Sequence, residues 1–227
     1  MRIFITGGSG GIGRAISLHF AQKGYKVAVC SRFGATHGVL SLNGDVGEYP
    51  QCQHMFETIS KEFGGLDVLV NNAGISHIGY FADTTPDIWQ KVINTNLMGV
   101  VNCSHLAVKM MLSQGHGQIV NISSIWGRVG ASCEAVYSAS KGGVDTFTKA
   151  LAKEVGGAGV RVNAVACGVV ETEMNAFLNP EEKAALMAEI PLGRFAKPEE
   201  IAQTVDFLVH SSYINGQIIT LDGGLLI

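Results

Sequence analysis

A run of β-branched and aromatic residues from Arg2 to Ile5 passes without a break into Thr6-Gly7-Gly8-Ser9-Gly10-Gly11-Ile12-Gly13. Helical periodicity then takes over from Arg14 to Lys23. Strand, glycine-rich turn and helix in this order is the context that a dinucleotide-binding site demands. Glycine lets the backbone turn sharply and come close to a pyrophosphate, and a helix N-terminus offers its N–H groups to that anion. A tight turn of purely structural use would carry the same glycines. Their position, straight after a buried opening strand, favours the phosphate reading and an α/β chain.

Composition agrees. In 227 residues, 29 are glycine and only 15% are charged, the profile of one compact α/β domain spanning residues 1–227 with many tight turns. The net charge of -3 leaves no basic footprint for nucleic acid or an anionic membrane surface. No apolar run reaches spanning length and no basic leader precedes Ile3, so neither nucleic acid nor membrane is expected as a partner. The five cysteines are well separated, without Cys-x-x-Cys, and read as reduced, mostly buried thiols of a cytoplasmic protein. The seven histidines lack metal-site spacing, and no metal is expected.

Tyr25 to Cys30 predicts a second strand, ending in Ser31-Arg32. An acidic residue here would bind the ribose 2′-hydroxyl of NAD; Arg32 instead suits the 2′-phosphate of NADP, or is a solvated arginine at a strand end. The connection from Phe33 to Gly38 is too short for a normal crossover helix. Val39 to Leu42 predicts a third strand, followed by Asp45-Val46, and Tyr49 to Phe63 a helix whose Met55, Ile59 and Phe63 face the core. Leu66 to Val70 predicts a fourth strand running into Asn71-Asn72-Ala73-Gly74. Small residues there let a ligand lie across the strand end, while Asn72 has the alternative use of tying neighbouring strands together.

Thr84-Thr85-Pro86 opens a long helix reaching about Leu112. Asn96 falls in its middle, where asparagine is a poor helix former. It is either tolerated on a polar face or marks a local distortion that exposes a carbonyl or holds a water. Gln118 to Ile122 predicts a fifth strand delivering Ser123-Ser124. With the next helix beginning near Ala135, Ser124 is free for a use other than capping. Val160 to Val165 predicts a sixth strand, Asn179-Pro180 and Lys197-Pro198 open two helices, and Gln217 to Leu221 closes the sheet.

In Tyr137-Ser138-Ala139-Ser140-Lys141, tyrosine and lysine stand four apart. On a helix this puts them about 40° from superposition and roughly 6 Å apart along the axis. The nearby cation is expected to draw the phenol down from about 10 toward neutrality, as a proton donor to a ketone requires. The same spacing also occurs on solvated helix faces, so it takes its meaning from the rest of the chain.

Taken together, the turn at Thr6 to Gly13, Asn-Asn-Ala-Gly at Asn71 to Gly74, and Asn96, Ser124, Tyr137 and Lys141 in register resemble the short-chain dehydrogenase/reductase family. The resemblance runs from Ile3 to Gly224. It implies a Rossmann-type, doubly wound parallel sheet of about seven strands in order 3-2-1-4-5-6-7, with a shortened connection after the second strand. It further implies a substrate lid around residues 173–195 and a homotetramer or homodimer.

By the same resemblance, Tyr137 donates a proton to the substrate oxygen, Ser124 holds that oxygen, and Lys141 binds the nicotinamide ribose and lowers the tyrosine. Asn96 keeps a water that links the lysine to solvent. Gly7, Ser9, Gly10, Gly11, Ile12 and Gly13 meet the phosphates, Arg32 the 2′-phosphate, and Asp45 and Val46 the adenine. Asn72, Ala73 and Gly74 lie along the cofactor, and Val170 and Thr172 fix the carboxamide.

Within the family, Gly193-Arg194, Pro198-Glu199-Glu200, Phe207-Leu208 and Tyr213 to Gly224 are similar to 3-oxoacyl-acyl-carrier-protein reductases. The expected activity is NADPH-dependent reduction of a 3-oxoacyl thioester, carried on acyl-carrier protein or CoA, with NADP(H) preferred over NAD(H). Another small alcohol or ketone (a sugar, cyclic diol or steroid) is the alternative, and a non-catalytic dinucleotide-binding protein a third. Cys167 stands where the family usually has proline, and Gly10 where NADP-dependent members often carry a basic residue. Gly115 and Ala158 replace arginines that some carrier-protein reductases use for docking. Met174, Phe177, Leu178, Leu186 and Met187 make an apolar lid suited to an acyl chain, or simply pack the lid.

Overall fold

Ile3, Phe4 and Ile5, on the first strand β1 (Arg2–Thr6), are all fully buried, which requires cover on both faces. Ile3 and Ile5 point one way, onto Ile16 and Phe20 of α1 (Gly11–Gln22) and Ile201, Val205 and Leu208 of α8 (Pro198–His210). Phe4 points the other way, its ring edge-on to Phe56 at 5.3 Å, among residues of α2 (Tyr49–Phe63), α4 (Gly99–Gln114) and α6 (Ala135–Val155). Full burial of each such phenylalanine is worth about 1.5–3 kcal/mol.

The computed structural model describes residues 1–32, 38–176 and 178–226. The remaining strands are β2 (Lys26–Ser31), β3 (Leu40–Asn43), β4 (Val68–Asn71), β5 (Gly117–Ser124), β6 (Val160–Cys167) and β7 (Ile218–Leu221). All pair in parallel, in the order β3-β2-β1-β4-β5-β6-β7. The expected sheet is therefore present, strand for strand. Order reverses between β1 and β4, and open α/β sheets hold ligands at such a switch point, beyond the strands' C-terminal ends. The short link between β2 and β3 is visible in their bounds; Phe33 and its neighbours to residue 37 lie outside the described residues.

Two expectations need correction. The long helix from Pro86 is not continuous: α3 (Pro86–Ile93) and α4 are joined by a π-helical turn at Asn94–Met98. A short helix, α5 (Trp126–Val129), also precedes α6, and the Trp126 N–H donates to Ser124 Oγ at 3.2 Å. Ser124 thus does have a capping contact, which four residues of weak periodicity hid. Gly127 is why α5 can press on α6: a Cβ there would meet the Lys141 backbone at 2.7 Å.

The inter-strand tie expected of Asn72 is present, its N–H and Nδ2 donating to Thr6 Oγ1 and Thr6 O at the end of β1, both at 3.0 Å, and its neighbour adds a second one. Asn71 Nδ2 donates to Asn121 Oδ1 at 2.8 Å and to Ser104 Oγ at 3.0 Å, and Asn121 Nδ2 donates to Thr148 Oγ1 at 2.8 Å. This buried chain locks β4, β5, α4 and α6 together beneath the strand ends. All five cysteines are free, and four of them are buried. Among the described residues no helix is long and apolar enough to cross a membrane, and none group as a metal site.

Candidate active site

The C-terminal ends of β1, β4, β5 and β6 open onto a cleft of about 580 Å³. Gly7, Gly10, Gly11 and Ile12 form one wall. Asn72, Ala73 and Gly74 form the floor, and Ser124, Tyr137 and Lys141 the far end. Val170, Thr172, Met174, Leu178 and Leu186 close over the top.

The glycine turn is shaped by close approach. A Cβ on Gly13 would sit 2.2 Å from the Gly7 carbonyl oxygen, and Gly7 itself has φ +66° and no room beside Ala73. Asn72 secures the turn from below: its Nδ2 donates to the carbonyls of Thr6 and Gly7, both at 3.0 Å. At Gly10 a Cβ would meet nothing within 4 Å, so this part of the turn is open. The first N–H groups of α1, which have no intrahelical partner, lie at the same wall. An open glycine cradle against a helix N-terminus fits a dinucleotide pyrophosphate.

At the far end Tyr137 and Ser124 share a hydrogen bond. Lys141, 5% exposed, donates from Nζ to the Ile122 carbonyl at 2.9 Å, with Nζ 5.7 Å from the centre of the Tyr137 ring. Burial pulls Lys141 down to about 8, opposed by the potential negative charges of Cys167 and Asp145. Gly74 lies beneath: its missing Cβ would be 3.5 Å from both Lys141 Nζ and Asn96 Oδ1.

Tyr137 departs from expectation. Burial pushes its phenol up, with Glu134 and Cys167 adding to the rise and Ser124 opposing it. A lysine four residues on does not reverse this, because desolvation is the largest influence and Lys141 is itself buried and engaged with Ile122. Tyr137 therefore holds its proton throughout the ordinary pH range.

Asn96 is fully buried in the π turn. Its Oδ1 accepts from Ile75 N at 2.8 Å, while Nδ2 donates to Ile75 O at 2.9 Å and Ser140 Oγ at 3.2 Å. Of the two sequence readings, local distortion is the one observed, with the side chain committed to the backbone that follows Gly74.

The remaining expected cofactor residues do not line the cleft. Gly13 and Val46 are buried behind it. Ser9, Arg32 and Asp45 gather at the ends of β2 and β3, where Arg32 Nη1 lies 3.7 Å from Asp45 Oδ2. Ser9 Oγ is 2.7 Å from Ser31 Oγ. Sequence reasoning passed over Ser31, which had registered only as not acidic. It also passed over Ser76, which lines the cleft and whose Oγ donates to Glu134 Oε1. The segment expected as a lid holds a 3-10 turn at Glu173–Asn175 and α7 (Pro180–Glu189), the latter started by a capping box between Asn179 and Glu182. No residue of α7 is buried, as suits a segment held mainly at its ends; Phe177 lies outside the described residues. Gly115 and Ala158 sit at the opposite, N-terminal edge of β5 and β6.

Comparisons with known proteins agree with this geometry. A family model described as enoyl-(acyl carrier protein) reductase matches residues 7–226. The chain is 41% identical to the 3-oxoacyl-acyl-carrier-protein reductase of Thermotoga maritima, over 98% of this chain and 96% of that protein. It is also 41% identical to the acetoacetyl-CoA reductase of Shinella zoogloeoides, over 97% and 96%. Among solved structures, a putative gluconate dehydrogenase from Agrobacterium tumefaciens superposes with a TM-score of 0.93 at 32% identity, covering 99% of this chain and 95% of that one.

Proposed function

The chain belongs to the short-chain dehydrogenase/reductase family of oxidoreductases, and we propose that it uses NADPH to reduce the ketone of a 3-oxoacyl thioester to the 3-hydroxyacyl form. The observation that carries this is the convergence of Ser124, a protonated Tyr137 and Lys141 at the end of a glycine-walled cleft roofed by apolar side chains.

Gly7, Ser9 and Gly10 to Gly13 would hold the pyrophosphate, Asn72 to Gly74 the length of the cofactor, and Val170 with Thr172 its carboxamide. When bound, the reduced nicotinamide supplies the hydride that the ketone carbon accepts. Ser124 donates a hydrogen bond to the ketone oxygen and fixes its position. Tyr137 transfers its phenolic proton to that oxygen as negative charge develops there. Lys141, cationic below about pH 8, stabilises the phenolate left behind. Asn96 acts at one remove: by holding Ile75 at both its N–H and its carbonyl, it keeps Gly74 flat beside Lys141. Met174, Leu178 and Leu186 receive the acyl chain and exclude water.

Preference for NADPH rests on Arg32, with Ser9 and Ser31 beside it as donors to a 2′-phosphate. A second reading, oxidation of a hydroxyl on a sugar or sugar acid, is favoured by the likeness to the putative gluconate dehydrogenase.

The test is absorbance loss at the reduced-nicotinamide band with an acetoacetyl thioester, comparing NADPH with NADH. Substrate-dependent oxidation of NADPH, much faster than of NADH, is expected. NADPH binding without turnover would move the substrate to the class of sugars and sugar acids. Equal rates with both nucleotides would overturn the 2′-phosphate assignment.

A further inference from the structure

One carboxylate in the cleft has no part in the chemistry above. Glu134 is half-buried, three residues ahead of Tyr137, where it precedes the first turn of α6. Its Oε1 accepts from Ser76 Oγ, and both residues line the cleft. The backbone around it is deliberately held. Cys133, next to it, has φ +63°, the only positive value at a non-glycine residue among those described. Such a conformation costs about 1–3 kcal/mol and persists only where its surroundings impose it. They do: Cys133 O accepts from Gly79 N at 2.9 Å, Glu134 O from Ser138 N at 2.8 Å, and Ser138 Oγ from Ala131 N at 3.1 Å. These bonds fix the backbone on which Glu134 stands, and the bond from Ser76 Oγ holds its carboxylate.

The charge it brings is not balanced. The ionisable side chains lining the cleft are Glu134, Glu173, Tyr137, Cys167 and Lys141. Lys141 is the sole cation among them, and it is buried at the floor with Nζ engaged by Ile122 O. A carboxylate on the substrate would meet Glu134 with no arginine or accessible lysine lining the cleft to receive it. That Glu134 acts electrostatically at the reacting end is supported by its contribution to the rise of the Tyr137 phenol.

We propose that Glu134 is a specificity-determining residue that admits neutral 3-oxo esters and thioesters and turns away 3-oxo acids and sugar acids bearing a free carboxylate. The inference rests on the reductase reading and narrows its substrate class. In a 3-oxoacyl thioester the carbon two bonds from the ketone carries a neutral carbonyl; in the free acid the same carbon carries a full negative charge. With the ketone oxygen at Tyr137, that charge would lie in the cleft that Glu134 and Tyr137 both line. Two like charges about 5 Å apart at an effective dielectric of about 20–40 correspond to a penalty of roughly fifteen- to three-hundredfold.

The experiment compares kcat/KM for methyl acetoacetate and for acetoacetate, with saturating NADPH, in the wild type and in Glu134→Gln. The variant keeps the side chain's shape and an oxygen for Ser76. A rise of about fifteenfold or more on acetoacetate, with the ester changed less than about threefold, is expected. An equal change on both substrates overturns the proposal. Should the variant not fold, the wild type suffices: raising salt is expected to narrow its preference for ester over acid, and a salt-independent preference overturns the proposal. A wild type inactive on esters and thioesters alike would overturn the reductase reading itself, and this inference with it.

Discussion

At the nicotinamide end of the cleft, Asn96 and Lys141 are 0% and 5% exposed, and their polar groups are engaged with backbone from β5 and from the segment after β4. At the ribose-phosphate end, Arg32 and Asp45 meet at 3.7 Å with about a third of each side chain open to solvent. The first arrangement is held by the core and cannot change without disturbing it. The second is held by surface pairs worth about 0–1 kcal/mol each. On the proposed assignment, chemistry is thus tied to the fold, whereas nucleotide choice sits where substitution is cheap.

The strongest way to break this comparison is Tyr137→Phe. It should lower kcat by about 10²–10⁴-fold while leaving NADPH affinity, measured by titration, within a few-fold. Turnover close to wild type would remove Tyr137 from the role of acid. Arg32→Ala addresses the other end: the KM for NADPH should rise about tenfold and that for NADH little, with unfolding free energy unchanged within about 0.5 kcal/mol. A large loss of stability would mean that this end, too, is structural.

Lys141→Met sharpens the contrast most finely. Lys141 titrates near 8 in the folded chain, against an ordinary 10.5. Below pH 8 the folded state must therefore bury a charge, and between 8 and 10.5 the unfolded state binds more protons, so wild-type stability rises with pH across that window. Activity should be lost in the variant. Its stability at pH 7 should exceed wild type by about 1 kcal/mol, the relief from burying a charge partly offset by the lost bond to Ile122, and the order should reverse by pH 10, where the wild-type lysine is neutral. Urea titrations at the two pH values measure it, and a variant less stable at pH 7 would mean that the buried charge does not burden the fold.

Much of this architecture is legible in the chain because its signals are local. β1 and its turn are read from a β-branched run meeting glycines whose Cβ positions are forbidden, as at Gly7 and Gly13. Ser124, Tyr137 and Lys141 converge because each sits at a strand end or on the helix that follows. What was not legible depends on partners distant in sequence. Poor helix propensity singled out Asn96, but only Ile75, 21 residues away, decides between a polar face and a distorted turn. The expected fall of the Tyr137 phenol followed from spacing to Lys141; its actual direction follows from burial, which spacing cannot express. Glu134 carries no motif, and its meaning comes from Ser76 across the cleft.

The π turn at Asn94–Met98 winds more residues into one turn than the helices on either side. Wound with the α-helical repeat instead, the same residues would rotate α4 by roughly 100° against α3. With Val92 kept in place, Cys103, Ala107 and Met111 would swing out of the core. The turn that bends backbone toward Gly74 is therefore also the device that keeps two helices in phase.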